Sequence, residues 1–195
     1  MNSELLRDLD QVLHFRPLEV ARRLGISLPS AHVLCSRYVS RGLFLRVKKD
    51  FYMTARAWGG MASEDRLRVA NLLQVPSYIS FTTALAFHEV TTQVQRDYVE
   101  NAAVKRSAQF DIQGTTVSYH KLQSERYFDF RRQEGLFVAT KEKAFVDAVY
   151  LQSLGRYRLD LDALDLSRLD LARLPTIVAA FPDKTARLVS KLCGT

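Results

Sequence analysis

The apolar positions of the first third of the chain fall into helical spacing three times and then switch to strand spacing. Leu5, Leu6, Leu9, Val12 and Leu13 recur at i, i+1, i+4, i+7 and i+8, one face of an α-helix, and Ser3 is placed to cap its first turn. Pro17 suits the first position of a second helix, where its missing N–H has no partner anyway, and Leu18, Ala21 and Leu24 give that helix a buried side. Gly25 ends it, because glycine tolerates the left-handed backbone of a sharp exit, and Ile26 then drops between the helices. Ser27 caps a third helix running to Gly42, with Ala31, Leu34, Cys35 and Tyr38 on its packed face. Beyond it Leu43, Leu45 and Val47 alternate with Phe44, Arg46 and Lys48, a period of two that predicts a strand with one buried face. Lys48, Lys49 and Asp50 make the turn, and Phe51 to Thr54 return. Three helices and a hairpin in this order predict a winged helix-turn-helix over residues 1–58.

The rest of the chain reads as a separate mixed region, 61–195. ARAWGGMAS at 55–63, with its glycine pair, reads as a linker. Ser63 caps a helix through Leu73 with Leu67, Ala70 and Leu73 as its stripe, Pro76 ends it, and Ser80 caps another to about His88. Tyr98 to Val104 and Phe110 to Leu122, turning at Gly114-Thr-Thr, suggest antiparallel strands, and Gly135 to Ala139 is a further short one. Thr140 caps the helix KEKAFVDAVYLQ, whose Ala144, Phe145, Ala148 and Leu151 face inward. LDLDALDLSRLDLARL at 159–174 repeats every five residues, too few copies for a stacked solenoid and the wrong period for one helix, so short helices with a break are expected, then helices over 175–181 and 183–192. The predicted fold class is α+β, a winged helix-turn-helix followed by a mixed α+β domain with a small antiparallel sheet.

Composition narrows the function classes. The longest apolar runs fall far short of the roughly 20 residues that span a bilayer, so no membrane partner is expected. MNSELLRDLDQ lacks a basic n-region and a cleavage site, which points to the cytoplasm. The two cysteines, Cys35 and Cys193, form no close pair for metal or redox chemistry, and Cys35 reads as a small core residue. Of the net charge of +7, residues 1–60 hold 10 Lys+Arg against 5 Asp+Glu, which is +5, and the remaining 135 hold 18 against 16, which is +2. The basic excess sits where a polyanion is expected to bind.

The outer face of the third helix carries Ser30, His32, Val33, Ser36, Arg37, Ser40 and Arg41, and no acid. Serine and histidine can bond base edges or phosphates, Val33 can meet a thymine methyl, and Arg37 can pair with a guanine edge or bridge to phosphate. Arg46, Lys48 and Lys49 on the hairpin would sit over phosphates beside the groove. Winged helices also serve as protein-interaction modules, and a run such as RVKK is most often a solvated surface. Such a module, holding a protein partner without sequence-specific DNA binding, is the alternative reading. Lys105, Arg106, Arg131 and Arg132 fit either solvated loops or contacts to a phosphate or an acidic partner.

Catalytic patterns are poor. His88-Glu89 begins like HExxH, but Thr92 stands where the second histidine is needed. His14, His32 and His120 have no ligand spacing, and neither GxxxxGK[ST] nor GxSxG occurs. Lys141-Glu142-Lys143 point in different directions from a helix and cannot share a metal. No enzymatic activity and no cofactor are expected.

PSYISFTTALAFHEV, at 76–90, resembles the segment that follows the winged helix in AbiEi family antitoxins. GLFLRVKKDFYMT resembles that family's wing, VKRSAQFDIQGTTVSYHKL its basic turn and strand pair, and ATKEKAFVDAVYL its Glu-Lys-Ala-Leu-x-Asp helix. Together these cover roughly residues 17–152 in matching order. Asp50 and Glu89 depart from it, each standing where glycine is usual. The resemblance implies an antitoxin of a bacterial toxin-antitoxin or phage-defence pair that represses its own operon through the winged helix. Its partners would be double-stranded DNA, an operator of inverted repeats, and a nucleotidyltransferase-like toxin neutralised without a stable complex.

Overall fold

A computed structural model of the chain describes residues 3–93 and 95–194, and the chain divides into two compact units, Met1–Val69 and Ala70–Thr195. The class is α+β: helices, a small antiparallel sheet and a larger mixed sheet. The boundary falls inside a helix, Ser63–Leu73. Among the described residues no helix is long and apolar enough to cross a membrane.

The first unit holds α1 (Ser3–Leu9), α2 (Pro17–Leu24), α3 (Leu28–Ser40), the hairpin β1 (Phe44–Lys48) and β2 (Phe51–Thr54), and α4 (Ala55–Gly59). Helix α1 is shorter than its leucine spacing predicts. After Leu9 the chain turns, the Gln11 N–H reaching the Asp8 carbonyl, and Phe15 then forms a two-hydrogen-bond bridge with Tyr52, its N–H to the Tyr52 carbonyl at 2.8 Å and the reverse at 2.9 Å. The inward face of α2 is Pro17, Val20 and Ala21 with Leu24 packed against the core, and Leu18, expected inside, is turned about 100° off that face and is 43% exposed. Gly25 leaves α2 with φ 63°, and Ile26 packs against the core as expected. In β1 the buried face belongs to Phe44, which meets Phe15 and Tyr38 edge-on at 4.8 and 5.0 Å.

The stretch expected to be a linker is instead the short helix α4. The Thr54 hydroxyl accepts the Ala57 N–H at 3.0 Å and donates to Asp10 at 2.5 Å, and Trp58 is 2% exposed with the Arg66 guanidinium over its ring. Gly59 and Gly60 end this helix; they do not open a flexible span.

Helix α5 is Ser63–Leu73. The second unit then contains β3 (Ser77–Ile79), α6 (Phe81–Phe87), β4 (Tyr98–Ala103), β5 (Ala108–Ile112), β6 (Thr115–Lys121), β7 (Phe130–Gln133), β8 (Leu136–Ala139), α7 (Lys141–Ser153), α8 (Leu174–Val178) and α9 (Asp183–Cys193). Its sheet has six strands in the order β5-β6-β4-β3-β8-β7, so the expectation of a small antiparallel sheet is corrected. The β5–β6 and β7–β8 hairpins are antiparallel, but β4 runs parallel to β6 and β3 parallel to β8. Turn residues dictate local hairpins; they do not dictate that β6 inserts between its hairpin partner and β4. Asn71 extends the ladder where β3 is too short, its side chain accepting the Phe137 N–H at 2.8 Å and donating to the Phe137 carbonyl at 3.4 Å.

Helix α7 is buried on nearly every side, including Glu142, Lys143 and Asp147. Thr140 caps it as expected, but Ser80 does not cap α6; its hydroxyl donates to Asp147 at 2.8 Å, and Glu100 accepts the Thr82 N–H at the start of α6. The five-residue repeat resolves into two successive 3-10 turns, Leu166–Arg168 and Leu171–Arg173, begun by the carboxylates of Asp165 and Asp170, while Leu159, Leu169 and Leu174 enter the core.

Candidate nucleic-acid interface

Helix α3 forms because Ser27 accepts the Ser30 N–H at 3.2 Å, Pro29 occupies the first turn, and Ala31, Cys35 and Tyr38 are buried on one side. Burial raises the Cys35 thiol to about 11 and leaves it a neutral packing group. The opposite side presents His32, Val33, Ser36, Arg37, Ser40 and Arg41 to solvent. Two of its hydroxyls are engaged within the helix: Ser30 pairs with Ser27 at 2.8 Å, and Ser40 donates to the Ser36 carbonyl at 3.1 Å. Val33 is 58% exposed, and Arg37 and Arg41 project from the C-terminal half.

The hairpin is seated on α3 by the Tyr38, Phe44 and Phe15 rings. Arg46 lies opposite Tyr52 with its guanidinium 5.9 Å from the ring, and the Lys48 ammonium lies 5.6 Å from the Phe51 ring. These aromatic supports fix the stems of two cations while leaving charge at the hairpin surface. Burial pushes the Tyr52 phenol above its ordinary value, against the pull of the Arg46 charge. A register shift between Arg46 and Lys48 twists the strand toward a turn in which Lys49 is exposed and Asp50 takes φ 56°.

Three acids of this unit are engaged away from that face. Asp8 pairs with Arg23 at 3.1 Å, Asp10 holds Thr54 and lies 3.8 Å from Arg56, and Glu19 accepts the Arg16 N–H at 2.6 Å. The α3 face and the hairpin therefore form a cationic surface with Asp50 as its one acid among the described residues. An open cleft of about 440 Å³ flanks α3, lined by Ile26, Pro29, Ser30, Val33, Leu34 and Arg37. Sequence spacing marked Val33 and Arg37, but not Ile26 and Pro29, whose place beside them depends on the turn after α2.

In the second unit the four cations singled out from sequence are all exposed, yet they are not one surface. Lys105 and Arg106 lie in the β4–β5 connection, and Arg131 and Arg132 lie on β7 at the opposite edge of the sheet. Arg131 and Arg132 are consecutive on a strand and point to opposite faces. Arg131 lines a cleft of about 210 Å³ with His88, Gln133, Lys141, Glu142 and Arg173. Its other cations are tied: Arg173 to Glu142 at 2.9 Å and to both oxygens of Asp129, and Lys141 to the Arg168 carbonyl. His88 meets the Ala139 carbonyl at 2.7 Å, and Glu89 pairs with Arg168 at 2.9 Å, so the HE pair looks to the protein's own groups. Among the described residues no group of three or more His, Cys, Asp or Glu side chains is placed to hold a metal ion.

The α3 face and the hairpin combine the cations Arg37, Arg41, Arg46, Lys48 and Lys49 with the exposed apolar side chains of Val33 and Leu28. No protein-family model matches the chain, and no characterised protein matches it.

Proposed function

We propose that the first unit is a winged helix-turn-helix that reads duplex DNA, with α3 entering a groove and the β1–β2 hairpin as the wing. The observation that carries this reading is the acid-free outer face of α3 beside a hairpin whose Arg46 and Lys48 rest on aromatic rings. Sequence would be read by Val33, Ser36 and Arg37, and the phosphates gripped by Arg41, Arg46, Lys48 and Lys49. His32 joins them on the exposed side, while Ser30 acts through the helix cap.

On this reading the protein is a cytoplasmic autorepressor and antitoxin of a bacterial toxin-antitoxin or abortive-infection pair, directed against a nucleotidyltransferase-like toxin without a stable complex. That part rests on the four segments that resemble AbiEi antitoxins, and the antitoxin task falls to the second unit. Neither a catalytic step nor a cofactor is assigned.

A second reading, a protein-interaction module built on the same unit, is favoured by the exposed Leu18 and Leu28. Titration of the DNA upstream of its own reading frame with the full chain separates the two. Contact with about 5 phosphates gives log affinity falling with log salt at a slope of about −4 to −5. No binding at low salt, together with a stable complex with the product of the neighbouring reading frame, contradicts the first reading and supports the second.

A further inference from the structure

Val33 is the most exposed of the large apolar side chains on α3, and it is not isolated. Ile26, Pro29 and Leu34 line the open cleft with it, an apolar shelf of four residues in a cleft that Arg37 also lines. The hydroxyl of Ser30, the other polar group of that lining, is turned into the helix cap by its bond to Ser27. A purely electrostatic grip needs no such shelf. Along the helix Val33 and Arg37 are four residues apart, about 6 Å at 1.5 Å per residue. Base pairs stack about 3.4 Å apart, so the two side chains address positions one or two base steps apart.

The charge of the surroundings selects the occupant. The shelf adjoins Arg37 and Arg41 on a helix without acids, which disfavours an acid-free apolar protein segment and favours a ligand that joins negative charge to small exposed methyl groups. Duplex DNA presents that combination in the major groove, where the thymine 5-methyl is the one apolar group on a base edge.

We infer that the specificity of the DNA-reading surface rests on a thymine methyl packed on the Ile26, Pro29, Val33 and Leu34 shelf, with a guanine one or two base pairs away taken by Arg37. The inference rests on the DNA-reading function proposed above and adds which base chemistry is read. It separates the roles of two neighbouring residues: Val33 discriminates by a methyl group and is insensitive to salt, and Arg37 discriminates by hydrogen bonds.

The test is selection of binding sites from a random duplex library with the full-length chain, followed by replacement of each thymine in the selected duplex by deoxyuridine, which removes only the methyl. One thymine, one or two base pairs from a guanine, is expected to weaken binding about fourfold per site when replaced, the ~0.8 kcal/mol of one methyl at 1.4 kcal/mol per decade. Val33→Ala is expected to bind the thymine duplex about fourfold more weakly and to lose the difference between thymine and deoxyuridine. A selected sequence whose affinity ignores every deoxyuridine replacement overturns this inference and leaves DNA reading intact. Discrimination that persists in Val33→Ala overturns the assignment to the shelf. A library from which nothing is enriched overturns the DNA-reading function itself, and this inference with it. A chain that self-associates through the cleft, losing its dimer on Val33→Asp while remaining indifferent to the methyl, overturns this inference and leaves DNA reading intact.

Discussion

Lys143 and Asp147 stand one turn apart on α7 and form an ion pair in which neither side chain has any solvent exposure. Tyr78 and Ser80 also donate to the Asp147 carboxylate, at 2.9 and 2.8 Å, and the ammonium lies about equally far from the rings of Tyr78, Phe128 and Phe181. Burial raises the Asp147 carboxyl, while Lys143, Ser80 and Tyr78 pull it back. Removing one partner leaves an uncompensated buried charge. Lys143→Met and Asp147→Leu should each cost about 3–5 kcal/mol, and the double variant should recover much of that loss. Urea unfolding of the three variants measures this; additive losses would mean that the two groups are not coupled.

His14 stacks on Phe51 with ring centroids 4.3 Å apart. Burial lowers its imidazole pKa below the ordinary 6.5, with the Glu19 charge opposing. The folded chain therefore binds fewer protons than the unfolded chain in the window just below 6.5. Its contribution to stability is full above that pH and is lost as pH falls through the window to the depressed value. Thermal unfolding at about pH 7.5 and about pH 5.5 should differ more for the natural chain than for His14→Gln, and equal shifts would remove His14 from the account.

Asp50 is the one acid on the cationic surface and holds φ 56°, a backbone region in which asparagine is at least as comfortable. Asp50→Asn should leave the melting temperature unchanged and tighten duplex DNA binding several-fold at low salt, the gain shrinking as salt screens it. Weaker binding would indicate that the hairpin tip does not approach phosphate.

The thiols should divide cleanly. Cys35 is buried and shifted to about 11, whereas Cys193 is half-buried on α9. A thiol reagent should modify Cys193 in the native chain and reach Cys35 only after unfolding. Rapid modification of both would mean that α3 opens readily from its core.

Local chemistry made much of this legible in advance. Ser27, Gly25 and Thr140 mark helix ends that the structure keeps, because capping is settled by a few adjacent residues. Asp50 and Glu89 both adopt left-handed φ, 56° and 57°, at turn positions where glycine is the usual residue. What could not be read depends on distant partners. Ser80 looked like a cap until Asp147, far along the chain, claimed its hydroxyl. Lys143 and Glu142 lie outside the inward stripe that helical spacing predicts, yet both are buried, neutralised there by Asp147 and Arg173. Trp58 in a glycine-flanked stretch was the missed sign of a packed helix. At the interface, helical spacing identifies Val33 and Arg37, but the shelf beside them is made by Ile26 across the turn.

The most direct test of the DNA-reading account compares the natural chain, Arg37→Ala and Lys49→Ala on the duplex upstream of the reading frame and on a scrambled duplex, across a salt series. The natural chain should prefer the upstream duplex with a slope of about −4 to −5 in log affinity against log salt. Arg37→Ala should lose roughly 1–3 kcal/mol on the upstream duplex alone, and Lys49→Ala should weaken both duplexes equally while reducing the slope by about 1. Equal losses on both duplexes for Arg37→Ala would show that α3 only grips phosphate, and absence of binding to either duplex at low salt would contradict the account altogether.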